Sequence, residues 1–254
     1  MKIVVLGGTG LIGSRVVRIL KEQNHDVFAA SASTVDLLTG RGLGDALRGA
    51  QVVVDLTNSP SFEDSAVLNF FVTSARNLFP EEAAAGVRHH VALSIVGADR
   101  MGNIGYMRAK VAQENAIKSS GIPYTIVRAT QFFEFIGSLA DAGNQGGTVR
   151  LSNVLMQPIA ADDIADAVAK IALKAPKNGF INLAGPERRQ LDELARELFK
   201  ARSDPRQVVT DLSLGYYGGQ VPENALVPDH ADQLGAMHFS DWLAHSQAEA
   251  FQTH

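Results

Sequence analysis

A chain of 254 residues, 46% hydrophobic and 20% charged, can bury a full core and reads as one globular domain with at most a subsidiary lobe. Its formal net charge of −4 offers no basic field to nucleic acid or an anionic membrane, and no apolar run reaches membrane-spanning length. Cysteine is absent, which excludes disulfides and thiol catalysis.

The chain opens Met1-Lys-Ile-Val-Val-Leu-Gly7-Gly8-Thr9-Gly10-Leu11-Ile12-Gly13. Ile3 to Leu6 predicts a buried strand, so this opening reads as fold and not as a cleavable leader; a cytoplasmic setting is expected. The strand breaks at the glycines and passes into an amphipathic run with Val16, Val17, Ile19 and Leu20 apolar, which predicts a helix. Gly7 permits a tight turn, Gly10 lets a pyrophosphate approach the backbone, and Gly13 lets the helix pack close to the strand. Free N–H groups at the helix start, over Thr9 to Ile12, carry partial positive charge toward phosphate. Taken alone, such a triad fits any strand–helix turn. The strand before it and the helix after it are the context of a dinucleotide site.

Asp26 to Ser31 predicts the second strand. NAD sites usually place an acidic residue just beyond it, to hold the ribose 2′-hydroxyl. Here Ser31-Ala32-Ser33-Thr34 follows, with no carboxylate until Asp36. The hydroxyls of Ser31, Ser33 and Thr34 can bond a 2′-phosphate, and Arg15 could add a cation. NADP is therefore the expected cofactor, with NAD as second choice; a plain loop of small residues is the alternative. Asp36 to Gly49 holds a brief helix. Gln51 to Leu56 is a buried strand, followed by the turn Thr57-Asn58-Ser59-Pro60. Thr57 and Asn58 are candidate cofactor neighbours by position, with capping or turn roles equally open.

Phe62 to Ala85 has helical periodicity, and His89 to Val96 predicts a strand. Adjacent strand residues face opposite ways, so His89 and His90 cannot easily share a metal and are expected to be structural or surface groups. His25, His230, His238, His245 and His254 show no ligand spacing, and no metal site is expected. A loop from Gly97 to Gly105 leads into a helix from Tyr106 to about Ser120, and Tyr124 to Arg128 is the next strand. In the segment that follows, Phe132, Phe135, Ile136 and Leu139 have core spacing, which leaves Gln131 and Phe133 as candidate substrate contacts.

This alternation predicts an α/β, Rossmann-type doubly wound parallel sheet with helices on both faces. Residues 1–145 form the NAD(P)-binding core of a single domain. Residues 146–254 complete the sheet and form a small C-terminal substrate lobe. Within the latter, Pro158 to Val168 starts a helix that Asp162 and Asp163 are expected to cap, Gly179 to Ala184 is a strand, and Leu191 to Ala201 a helix. The tail, with Gly215 to Gly219 and Trp242, is expected to close over the substrate.

Tyr106 and Lys110 are four apart on one predicted helix and share a face. An ammonium beside a phenol stabilises phenolate and brings its pKa down from about 10, which makes Tyr106 a better acid/base near neutrality. Ser94, at the end of the preceding strand, could reach the same substrate carbonyl. Tyr-x-x-x-Lys alone also fits an ordinary surface helix pair; the glycine turn and the strand-end serine single it out.

These residues resemble the short-chain dehydrogenase/reductase superfamily, and within it the atypical NmrA-like branch of NAD(P)-binding proteins. Gly7-Gly-Thr-Gly-Leu-Ile-Gly13 matches the branch's glycine pattern, and Ser94, Tyr106 and Lys110 match the superfamily's serine, tyrosine and lysine. Val127-Arg128-Ala129 stands where arginine–proline is usual, with alanine for proline. Pro158-Ile-Ala-Ala-Asp162-Asp163-Ile-Ala resembles a helix start of the C-terminal half. The likeness covers about residues 1–185. It implies an NAD(P)H-dependent oxidoreductase passing hydride to a small carbonyl or quinone, with the pyrophosphate on Gly10 to Ile12. Tyr106 would be the acid/base, Ser94 would orient the oxygen, and Lys110 would tune Tyr106 and meet the nicotinamide ribose. Asn58 lies near the cofactor but is not demonstrably the asparagine of the better-known reductases. The alternatives are a non-catalytic redox sensor or a nucleotide-sugar epimerase or dehydratase. A small-molecule partner is expected, with no nucleic acid or membrane, in a monomer or homodimer.

Overall fold

The computed structural model describes residues 1–217 and 219–252, with side chains through Ser246; Gly218 of the Gly215–Gly219 stretch and His254 lie outside the described residues. The first half alternates β1 (Lys2–Leu6), α1 (Leu11–Glu22), β2 (Asp26–Ala30), α2 (Leu43–Leu47), β3 (Val52–Asp55), α3 (Asp64–Ala85), β4 (His89–Ile95), α4 (Gly105–Ser119) and β5 (Tyr124–Ala129). There follow α5 (Ile136–Ala142), β6 (Asn144–Gln145), β7 (Thr148–Leu151), β8 (Leu155–Met156), α6 (Ala161–Ala172) and β9 (Gly179–Ala184). The last elements are β10 (Arg189–Gln190), α7 (Leu191–Ala201), β11 (Gln207–Thr210), β12 (Gln233–Leu234) and α8 (Phe239–Gln252).

Seven parallel strands form the central sheet in the order β12-β9-β5-β4-β3-β1-β2. The doubly wound fold predicted from the alternation is the fold observed. β1 shows why it is two-faced. Ile3 and Val5 point into a layer with Val16, Leu20, Ile164 and Val168 of α1 and α6. Val4 and Leu6 point the other way, toward Leu43, Leu47 and Leu78 of α2 and α3. A strand covered on both faces must be apolar where it is buried, and Ile3 to Leu6 are. The chain places β2 on one side of β1 and β3 on the other. The strand order therefore reverses between β1 and β3, and a crevice opens beyond their carboxyl ends.

A separate core fills the C-terminal part. Phe133, Ile136, Met156, Leu194, Leu198 and Phe239 pack together beneath α5, α7 and α8. Two small sheets, β10-β8 and β11-β7-β6, flank it, while β9 and β12 extend the central sheet. The first turn of α6 differs from expectation. Its N-cap is Ala160, with no side-chain cap. Glu134 supplies the capping oxygens instead, both 3.3 Å from the Ala161 amide. Asp162 bonds Arg15 across the helix pair, and Asp163 accepts the Met237 amide. The reach of Glu134 from a distant turn is what sequence order conceals.

His89 and His90 are both buried structural groups. His89 meets the Thr125 hydroxyl at 2.9 Å on one face of β4. His90 meets both Glu82 oxygens, at 2.9 and 3.1 Å, on the other, with side-chain exposures of 1% and 0%. Burial alone would lower the His90 pKa, but the Glu82 carboxylate and Asp55 outweigh it and raise the value. His89 has no carboxylate, and burial with repulsion from His90 takes it down to about 4. The imidazolium of His90 thus stabilises the fold below about pH 6.5, its unfolded value, and that stabilisation is lost as pH rises through the raised folded pKa. Glu82→Gln should cost roughly 3–5 kcal/mol, the scale for removing one partner of a buried ion pair. It should also abolish this loss above pH 6.5. Urea unfolding at pH 6 and pH 9 measures both, and an unchanged pH slope in the variant would refute the assignment.

Candidate dinucleotide and acceptor site

The turn after β1 is built from contacts that exclude side chains. Gly7 has φ +71°, in the left-handed region, and a Cβ there would lie 2.8 Å from the Leu56 carbonyl oxygen. A Cβ on Gly13 would lie 2.0 Å from the Gly7 oxygen, because α1 presses directly on the turn. Gly8 is a third close approach that the sequence reading passed over: its Cβ would meet Ala29 Cα at 2.9 Å. Gly10 differs. It caps α1 in an extended conformation, with φ −78° and no side-chain cap. Its nearest obstacle is the Gly7 oxygen at 3.3 Å, and it borders the cleft. A cradle a Cβ would fill, at an uncapped helix start, fits a diphosphate.

The crevice continues into one cavity of about 1330 Å³ along the carboxyl ends of the strands. Gly7, Thr9, Gly10, Leu11, Ile12 and Gly13 line one end. Thr57 and Asn58 follow, and then Ser94, Tyr106 and Lys110. At the far end stand Gln131, Phe132, Phe135, Tyr216 and Tyr217. Among the described residues no group of three or more His, Cys, Asp or Glu side chains could hold a metal.

The structure gives the central polar groups partners that spacing did not disclose. The Tyr106 hydroxyl donates to Asn58 Oδ1 at 2.8 Å. Burial, with the nearby Tyr217, pushes its pKa up to about 12, and the Asn58 bond offsets part of that rise. Lys110 does not act on it as expected. Its ammonium turns inward, donating to the Leu93 carbonyl at 2.9 Å and to Gln113 Oε1, and sits 4.6 Å from the centre of the Phe71 ring. Burial takes Lys110 down to about 8 against the pull of Asp55 and Glu114. Sharing a helix face brings two residues near, but long side chains choose their own partners.

Ser94 is likewise engaged. Its hydroxyl donates to Glu114 Oε1 at 2.7 Å. Arg128 grips that carboxylate at both oxygens, at 2.8 and 2.6 Å, and reaches Asp99 at 3.1 Å. Asp55, at the end of β3, holds the neighbouring turn. One oxygen accepts the Thr57 amide at 3.0 Å and its hydroxyl at 2.6 Å; the other accepts Gln113 Nε2 at 3.0 Å.

The expected substrate contact Phe133 is corrected. It is 2% exposed and packs on Phe239 and Trp242, at 5.1 and 5.8 Å between ring centres. Phe132 and Phe135, read as core, stack on each other 5.1 Å apart and line the cavity. The reason is local. Phe133–Phe135 is a 3₁₀ turn, and the α-helix begins only at Ile136. Three residues per turn align 132 with 135 on one side and 133 with 136 on the other. Tyr216 and Tyr217, in the stretch expected to close over the substrate, also line the cavity.

A sequence model described as NAD(P)H-binding matches residues 7–175, more than half of the chain. The chain belongs to the NAD(P)H-binding family. It is 28% identical to the NAD(P)H azoreductase of Xenophilus azovorans, over 95% of this chain and 89% of that protein. It is 29% identical to (4-alkanoyl-5-oxo-2,5-dihydrofuran-3-yl)methyl phosphate reductase of Streptomyces griseus, over 77% and 73%. It also matches the photosystem II assembly factor Ycf39 of Cyanophora paradoxa at 26%, over 55% of this chain and only 49%, about half, of that protein. Among solved structures, a dTDP-4-dehydrorhamnose reductase from Clostridium acetobutylicum superposes with a TM-score of 0.76 at 15% identity, over 98% and 100% of the two chains. A short-chain dehydrogenase/reductase superfamily protein from Agrobacterium tumefaciens with bound NAD gives 0.74 at 18%, over 100% and 98%. Those likenesses establish a shared fold, which is the fold of the superfamily the motifs resemble.

The coenzyme end of this family member's cleft has further features. Ser31 lines the cavity. Ser33 and Thr34 are exposed; the Ser31 and Ser33 hydroxyls lie 2.7 Å apart, and Thr34 Oγ1 is bonded to the Ser31 backbone. Arg15 is not directed there: its guanidinium pairs with Asp162 at 2.7 Å and with the Leu11 carbonyl at 2.8 Å. The cation beside this loop is Arg41, which reaches the Ser33 carbonyl at 3.4 Å. Asp36 lines the cavity, but its carboxylate is used in its own turn, accepting the Leu38 and Thr39 amides.

Gly10→Val should keep the fold, since its φ suits any residue and the Gly7 oxygen 3.3 Å from the new Cβ need give only slightly, yet fill the cradle. Thermal midpoints with and without NADPH should show a folded protein whose coenzyme-induced stabilisation is lost, with affinity at least about tenfold weaker. Full stabilisation in this variant would place the diphosphate elsewhere.

Proposed function

We propose that this protein is an NAD(P)H-dependent oxidoreductase, with NADPH preferred, that reduces a small carbonyl or quinone acceptor. The observation that carries the reading is the continuity of one cleft from the glycine cradle to the Tyr106 hydroxyl. Gly7 to Gly13 would hold the diphosphate, Thr57 and Asn58 would flank the coenzyme, and Lys110 would meet its ribose. When bound, NADPH supplies a hydride to the acceptor carbon. The proton is Tyr106's task. With its pKa raised to about 12, the phenol is fully protonated at neutral pH and serves as a donor. Asn58 is its positioning residue, holding the hydroxyl until an acceptor oxygen competes for the proton. Ser94 keeps its lone pairs at the cleft while its proton goes to Glu114, so in this reading it aligns the site and is not a second acid.

The preference for NADPH rests on hydroxyls at Ser31 and Ser33 and on Arg41 beside them. A charge-assisted contact from Arg41 to a 2′-phosphate is worth roughly 1.5–3 kcal/mol, about ten- to a hundredfold in affinity. Arg41→Ala should weaken NADPH by that factor in calorimetric titration and leave NADH almost unchanged. Equal losses for both coenzymes would remove the argument for NADPH.

Tyr106→Phe should keep NADPH affinity and cut turnover at least about a hundredfold, the scale for losing a general acid. NADPH oxidation followed at 340 nm with a panel of aldehydes and quinones measures it. Turnover equal to that of the parent protein would take Tyr106 out of the reaction. NADPH binding without turnover on any acceptor in the parent protein would favour the sensor reading.

A further inference from the structure

Gln113 bridges two opposite charges beneath the cleft. It lies on α4, three residues beyond Lys110 and on the same face, and it is buried, as are Lys110 and Asp55 at the end of β3. Its Oε1 accepts from the Lys110 ammonium, and its Nε2 donates to Asp55 Oδ2 at 3.0 Å. Chemistry sets the direction of this amide. An ammonium can only donate, so the amide oxygen must face Lys110, which leaves the nitrogen for Asp55. The carboxylate thus secures the positive end of the amide, and the amide offers its negative end to the ammonium.

The same carboxylate governs the surroundings of the phenol. Asp55 Oδ1 accepts from the Thr57 amide at 3.0 Å and its hydroxyl at 2.6 Å, and Asn58, next in that turn, accepts from the Tyr106 hydroxyl at 2.8 Å. Lys110 also donates to the Leu93 carbonyl of β4 at 2.9 Å, with the Phe71 ring of α3 4.6 Å away. The other charged groups around this helix have partners of their own. Glu114 of α4 is gripped by Arg128 of β5, which also reaches Asp99, and His90 of β4 pairs with Glu82 of α3. Burial takes the Lys110 pKa down, and the pull of Asp55 and then Glu114 opposes it. A hydrogen bond that favours the charged form acts in the same sense as that pull.

We propose that Gln113 is a positioning residue of the coenzyme site, which holds the Lys110 ammonium charged and in place where the ribose of NAD(P)H arrives. This rests on the preceding reading that Lys110 meets the ribose, and it adds what keeps a buried lysine ionised there. Without the bridge the ammonium loses an acceptor in a site that already disfavours charge.

Coenzyme affinity measured by calorimetry from pH 6 to 9.5 tests it, with NADH beside NADPH because NADH has no 2′-phosphate to titrate. In the parent protein affinity should fall as pH rises through about 8, where Lys110 loses its charge. Lys110→Met should bind about tenfold more weakly at pH 7 and lack that step. Gln113→Met should bring the step down by about one to two pH units, the scale of one hydrogen bond to a charged group. Gln113→Asn, too short to span both partners, should do the same and carries the test should Gln113→Met not fold. Gln113→Glu should not lower the step: ionised, it attracts the ammonium, and protonated, it donates to Asp55 and accepts from Lys110 as the amide does. A residue that only packed would change affinity or stability in these variants without moving the step. No step in the parent, a step unmoved in Gln113→Met and Gln113→Asn, or one lowered in Gln113→Glu, with Lys110→Met still weakened, overturns the proposal and leaves the Lys110 reading standing. Full affinity in Lys110→Met, or no binding of either coenzyme by the parent, overturns that reading and the proposal with it.

Discussion

The turn between β1 and α1 leaves no room for a side chain at three of its glycines, and the rest of the molecule is arranged around that fact. The first turn of α1 rests on the Gly7 carbonyl, and Gly7 in turn rests on the Leu56 carbonyl at the end of β3. Backbone touches backbone across the point where the sheet order reverses. Such packing fixes the direction of α1, the separation of β1 and β3, and the mouth of the crevice together. It also leaves the opening amides of α1 uncapped by any side chain. Fold and candidate coenzyme site are the same set of contacts here.

Beneath the cleft lies a second organising layer, made of charge. Asp55, Gln113 and Lys110 form one chain of bonds; Ser94, Glu114, Arg128 and Asp99 form another. Every ion in these chains has an opposite charge or a dipole in reach, which is the condition for keeping charge away from water. The arrangement decides which groups can exchange protons with a ligand. Ser94 spends its hydrogen on Glu114, and Lys110 directs two of its three inward. Tyr106 bonds only a neutral amide oxygen, which an incoming oxygen can replace more easily than a carboxylate.

The coenzyme half of the cleft was legible in the sequence because backbone geometry governs it, and backbone geometry leaves glycines behind. Strand alternation and helix periodicity likewise gave β9 at Gly179–Ala184 and α7 at Leu191–Ala201 with their observed bounds. What escaped was side-chain choice over long sequence distance. Arg15 lies near the ribose loop in sequence, but Asp162, on a helix packed against α1, captures it. Arg41 is a loop residue with no periodicity to mark it. The swap of Phe133 for Phe132 and Phe135 has a local cause, a turn of three residues where a helix of 3.6 was assumed, and no apolar pattern distinguishes the two in so short a run.

The two ends of the cavity are therefore built on different principles. One is specified by main-chain amides and can change only if the fold changes. The other is bordered by the rings of Phe132, which packs on the core between the sheet and α1 and α6, and Phe135, and by Tyr216 and Tyr217 of the C-terminal part. Substitution in that part can reshape the acceptor end without disturbing the contact between Gly7 and Gly13. A fold of this kind can keep one end of its cleft while the other varies. Tyr106 and Asn58 stand at the junction. Asn58 belongs to the turn after β3, and the pKa of Tyr106, raised first by burial, is raised further by Tyr217 from the C-terminal part. The proposed proton donor is thus a group whose properties both halves set.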